Sequence, residues 1–106
     1  RGIVQAREVP GCERRQRTAG MKVMVGGKAW GFHRKRMRGK YDGLCDPPDK
    51  PGKAITVDVR LKGEEELEVI VHELMHALDW HKSEDAVENG AKDFARVLWR
   101  MGYRKQ

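Results

Sequence analysis

The sequence predicts a small α+β domain: a twisted β-sheet of about three strands packed on an antiparallel two-helix hairpin. Three observations carry that expectation. Residues 54–59 alternate Ile55, Val57 and Val59 with Thr56 and Asp58, the period of a half-buried strand. Residues 64–80 repeat apolar side chains at three- and four-residue steps, the period of an amphipathic helix. A second helical stretch follows after a connection so short that the two helices must pack antiparallel.

Residues 1–20 combine Arg, Glu, Gln, Gly and Pro with few large apolar groups, and they are expected to form a disordered basic tail ahead of a single domain over 21–106. Residues 22–25 read as a short strand, Gly26-Gly27 as a turn, and 28–34 as a second strand with Trp30 and Phe32 on one face. Together they suggest a hairpin. Residues 38–41 fit neither period. Residues 43–53 hold Cys45-Asp46-Pro47-Pro48 and Pro51-Gly52, a loop composition in which Asp46 serves turn chemistry.

The strand over 54–59 comes next, and Lys62-Gly63 breaks it. Glu64, Glu65 and Glu66 then open the first helix, where acids favour the positive end of the helix dipole. Leu67, Ile70, Val71, Leu74 and Leu78 make its apolar stripe. Ser83 is a good N-cap for the second helix, about 84–100, whose stripe is Val87, Ala91, Phe94 and Leu98 with Val97 and Met101 in support. Gly90 and Ala91 allow the helices to approach closely, and Gly102 stops the second one.

A chain of 106 residues supports one modest core. Its formal net charge of +6 is unevenly placed: residues 1–20 carry +3, 21–53 carry +6 and 54–106 carry −3. A basic segment such as 28–40 can contact nucleic acid or another acidic partner, although such charge is more often a solvated face. No apolar run is long enough to cross a bilayer, and the N-terminal stretch has no signal-peptide character. A cytoplasmic protein without a membrane partner is therefore expected. Cys12 and Cys45 form no C-x-x-C pair, so free thiols are the expectation.

The chemistry concentrates in His72-Glu73-Leu74-Met75-His76, an H-E-x-x-H motif inside the first helical stretch. His72 and His76 are one turn apart, so both imidazoles project from one face and can hold one metal ion. Glu73 lies about 100° round the helix, within reach of a water at the open metal position. Two ligands and a base are the core of a zinc hydrolase. The rival reading is a structural histidine pair on an amphipathic helix.

A catalytic zinc needs a third protein ligand. Asp79, His81, Glu84 and Glu88 follow the motif. Asp79 lies too close on the motif helix to fold back over the same metal. The metzincin pattern H-E-x-x-H-x-x-G-x-x-H would need Gly at 79 and His at 82, where Asp79 and Lys82 stand. Counted from a turn centred near residue 81 or 82, Glu88 lies nearly level with His76, and Glu84 falls below it. This favours Glu88 as the third ligand, with Glu84 as the alternative and His81 further behind. His81 and Tyr103 are also candidates to stabilise an oxyanion.

H-E-x-x-H on one helix and a Glu on the next resembles the gluzincin group of zincin metallopeptidases. The spacing from Glu88 through Ala91, Phe94, Ala95 and Leu98, E-x-x-A-x-x-F-A-x-x-L, is similar to the second helix of ImmA/IrrE-type peptidases. The Cys-Asp-Pro-Pro segment, the strand over 54–59 and the Leu-Trp-Arg-Met-Gly-Tyr ending are similar to small SprT-like or phage-encoded metallopeptidases. The resemblance covers about residues 43–103. It implies a zinc-dependent peptidase with Zn²⁺ on His72, His76 and Glu88, Glu73 as general base, and a protein or peptide substrate. It also implies that residues 54–59 form an edge strand along the cleft. The competing class is a basic nucleic-acid- or protein-binding module with a structural or inactive zinc site.

Overall fold

The computed structural model describes residues 20–105, so the tail expected over 1–20, with Cys12, lies outside the described residues except for Gly20. The architecture is α+β. Strands β1 (Met21–Val25), β2 (Lys28–Lys35), β3 (Gly43–Cys45) and β4 (Ala54–Asp58) precede helices α1 (Gly63–Leu78) and α2 (Glu84–Arg100). The strands form one mixed sheet in the order β1-β2-β4-β3, one strand more than about three. β1 and β3 each pair antiparallel with their neighbour, and β2 runs parallel to β4.

The β1–β2 hairpin follows from its turn. Gly26 and Gly27 take φ of 62° and 78°, the left-handed pair that a two-residue hairpin turn of the right twist requires. Register then places Val23 opposite Trp30 and Met21 opposite Phe32 on the helix-facing side. Trp30, Phe32, Ile55, Val57 and Ala77 make the core, with Ile70 and Leu74 of α1 packed against it. The Trp30 indole N–H donates to the Val25 carbonyl at 3.3 Å, which satisfies its one polar atom.

Two strand expectations are corrected. Gly43–Cys45, expected as loop, is a strand because its alternation matches β4: Gly43 and Cys45 lie opposite Val57 and Ile55. Three residues running into Asp46-Pro47-Pro48 are too few for a period to announce. As a consequence β4 is an interior strand, paired on both sides, and the strand at the sheet edge beside α1 is β3. Asp46 performs the expected turn role, accepting from the Ala54 N–H at 2.9 Å.

Helix α1 begins where Gly63 takes φ of 64°. Glu66 does more than complement the helix dipole. It is buried, and it accepts from Arg34 and from Lys105, the latter at 3.1 Å. Burial alone would raise its pKa, but these two cations together hold it below the ordinary range. The second helix starts on Ser83, whose hydroxyl accepts from the Ala86 N–H at 3.1 Å, a cap worth about 1 kcal/mol. It ends in a Schellman arrangement: Gly102 at φ 95° donates to Trp99 and Tyr103 donates to Leu98.

The helices meet through Val87, Ala91 and Ala95, all fully buried. A Cβ at Gly90 would lie 2.8 Å from Met75 Cε, so the small residues do set the approach. The expected stripe is corrected at Phe94, Val97 and Met101, which are more than half exposed. Because α2 packs on α1 and makes no extensive contact with the sheet, a narrow seam suffices and the flanking apolar positions face outward. Among the described residues no helix is long and apolar enough to cross a membrane.

Asp58 ends β4 as a buried carboxylate. It accepts from the Arg60 guanidinium at 2.9 and 2.6 Å, from the Arg60 N–H at 2.8 Å and from the Met37 N–H at 3.4 Å. The bonds from Arg60 hold its pKa well below the usual carboxylate range. A lowered folded-state pKa gives stability that is present above the unfolded value of about 3.9 and lost as pH falls towards the folded one. Thermal melts should therefore show Asp58→Asn less stable than the parent at neutral pH, with the gap closing below about pH 4. A gap that stays constant into acid would exclude this role for the carboxylate.

Candidate metal centre

His72 and His76 project from one face of α1 with ring centroids 4.9 Å apart, as a one-turn spacing dictates. The residue brought to them from α2 is Glu84. Its carboxylate lies 3.2 Å from His72 Nε2 through one oxygen and 3.1 Å from His76 Nε2 through the other. One ligand atom from each of these three residues falls within 4.8 Å of the others, a group able to hold a metal ion.

Glu88 is not gathered with the histidines. It lines the same groove one turn further along, 3.9 Å from Lys92 Nζ. Helical rise alone does not separate the two acids. Helix α1 ends at Leu78 and α2 begins at Glu84, so residues 79–83 span the gap between the axes and add little rise along them. Counted from the helix ends, His76 is level with Ala86, midway between Glu84 and Glu88, and what separates the two acids is the direction each faces: Glu84 towards the imidazoles and Glu88 towards Lys92. Asp79 is the C-cap of α1 and pairs with Lys82 at 3.9 Å. His81 is exposed, and neither it nor Tyr103 lines the groove.

The three candidate ligands open into a groove of about 690 Å³ between β3, the segment before it and the two helices. Lys40, Tyr41 and Asp42 line one side and Trp80, Lys82 and Glu88 the other. Trp80 stacks edge-on to His76 at 6.3 Å, limiting how that ring can turn. The Glu84 carboxylate is 65% exposed, so the group faces solvent through the groove and is not sealed in the core.

Glu73 sits at the back of this groove, 7% exposed. Burial, aided by the nearby charge of Glu84, pushes its pKa up to about 7. Cys45, also lining the groove, has its thiol pushed up to about 12, first by burial and then by Glu73 and Asp46. It is therefore a neutral wall residue, not a nucleophile.

Position 43 is one that the sequence pattern does not single out. A Cβ there would lie 2.8 Å from Glu73 Oε2, so only a glycine lets the edge strand pass this closely over the acid. A glycine inside a short strand is the signal that marks such approaches, but it was hidden in a stretch with loop composition. No family model, curated protein or solved structure matches the chain.

Proposed function

We propose that this protein is a zinc-dependent peptidase of zincin type, in which His72, His76 and Glu84 hold the metal and Glu73 is the general base. One observation carries the reading: a single carboxylate from α2 meets both imidazoles of H-E-x-x-H beside a buried acid, at the wall of an open groove. The donor set fits zinc. Two imidazoles and one carboxylate are a known catalytic ligand set, and three protein ligands leave a position open. A bound zinc would supply Lewis acidity, acidifying water and polarising a carbonyl.

The residues of the chain do the rest. Glu73 takes a proton from the attacking water as the new C–O bond forms, and returns it to the leaving nitrogen as the C–N bond breaks. Burial suits Glu73 to both tasks, because a carboxyl near pKa 7 gains and gives up a proton near neutral pH. Among the described residues β3 pairs only with β4, so its outer edge offers backbone groups along the groove. An extended peptide can add to that edge and present its carbonyl to the site.

A second reading, a nucleic-acid-binding module, draws on one observation. Among the described residues no carboxylate pairs with Lys35, Arg36, Arg38 or Lys40, and all four are exposed. They lead into the groove at Lys40. The purified chain distinguishes the readings. The peptidase should carry one zinc per chain, lose it in His72→Ala, and cleave an internally quenched peptide library only when zinc is present. Salt-sensitive binding of oligonucleotides by a chain that cleaves no peptide would instead favour the second reading.

A further inference from the structure

Resting on the reading of Glu73 as general base, we infer that Gly43 is its positioning residue: the bare Cα of the edge strand fixes where the carboxylate stands. The two groups are in direct opposition. A methyl group built on Gly43 would lie 2.8 Å from Glu73 Oε2, 3.0 Å from Glu73 Cγ and 3.0 Å from Val69 Cγ1. An oxygen at the end of a side chain can swing away. Cγ must give as well, which tilts the side chain as a whole, and Val69, β-branched on a helix, has essentially one rotamer.

The strand is no freer to yield. Gly43, Leu44 and Cys45 are held in register opposite Val57, Thr56 and Ile55. The Asp58 N–H donates to the Asp42 carbonyl at 2.8 Å immediately before Gly43. Asp58 is itself fixed by Arg60. Pinned strand and pinned helix leave the Glu73 side chain as the part that moves. Gly43 lies in a strand, outside the left-handed region, so alanine is compatible with its backbone. The substitution therefore tests the space above Glu73 and not the turn chemistry for which glycines are usually kept.

The site gains two things from this contact. β3 seals the flank of Glu73 away from the metal-facing side, which accounts for its 7% exposure in a groove that is otherwise open. The same backbone lies against the carboxylate and limits the rotamers open to it, while the side chain lines the groove beside Val69. A general base must stand within hydrogen-bond reach of the proton it takes. Displacement by about 1 Å costs of order 100-fold in rate.

The test is Gly43→Ala in the full chain, read in two ways. In the metal-free protein labelled with ¹³C at the glutamate carboxyl, the Glu73 resonance, identified by its loss in Glu73→Gln, should move while the other glutamates stay. In the zinc-loaded protein, zinc stoichiometry should be unchanged while kcat falls by about 100-fold, with KM little altered. Gly43→Ala combined with Val69→Ala relieves the packing clash but leaves the one with Glu73; it should stay slow, and it is the form to measure if Gly43→Ala alone does not fold. An unmoved Glu73 resonance, or full recovery in the double variant, overturns the inference. A moved resonance in a protein whose parent form cleaves no peptide sustains the positioning role and removes the peptidase reading instead.

Discussion

Glu73→Gln lowers peptide hydrolysis by about 10²–10⁴-fold, the usual contribution of a general base, while zinc remains bound. The substitution is close to isosteric, so the side chain keeps its place against Gly43. The amide cannot take the proton that the attacking water must lose. It does not disturb the three groups that would hold the metal, because His72, His76 and Glu84 are gathered without it. Stability gives an independent check. A buried acid whose pKa is raised to about 7 makes the folded state less stable as pH rises from its unfolded value of about 4.3. The neutral amide escapes that cost. Metal-free Glu73→Gln should therefore melt no lower than the parent at pH 8, and the two should converge in acid. Full turnover in the variant, measured beside its zinc content, would sink the proposed mechanism.

The parts of the molecule that were legible in the sequence are those where one local rule decides. Gly26-Gly27 specifies a hairpin turn, Ser83 a cap, and Ile55 and Val57 a strand, each within a few residues. The pairing of His72 with His76 belongs to the same class, because a single helix sets it. What escaped depends on contacts between elements. β3 is a strand because β4 offers it a matching edge, and its Gly-Leu-Cys carries no period of its own. Phe94 and Val97 look like core from their spacing, yet among the described residues α2 packs chiefly on α1 and leaves them outside. Glu66 reads as a helix-dipole acid, but partners 32 and 39 residues away make it a buried ion pair. The approach of Gly43 to Glu73 likewise joins residues from two elements, and no pattern in either announces it.

The identity of the third ligand turns on the same distinction, and it yields the second large effect. Glu84→Ala should weaken zinc binding by more than the roughly 10–100-fold that loss of an outer partner of a metal ligand costs. Glu88→Ala should change it by about twofold at most, as an ordinary surface substitution does. The structure separates the two acids by what they face. Glu84 presents one oxygen to each imidazole at 3.2 and 3.1 Å, and Glu88 faces Lys92. Glu84 is also the first residue of α2, directly after the Ser83 cap, so the start of the helix fixes its backbone. A turn centred at residue 82 makes Glu88 level with His76, whereas the helix ends centre it at residue 81 and leave His76 midway between Glu84 and Glu88. Rise therefore does not choose, and the direction of each side chain does. Competition against a chromophoric chelator at one fixed pH would measure both variants, the pH being held because the ligands must be deprotonated to bind. A large loss in Glu88→Ala with little change in Glu84→Ala would mean that the helices shift by a turn when the metal is bound. The close fit of Gly90 against Met75 argues against such a shift, since sliding α2 by one turn would drive the side chains of its neighbours into Met75.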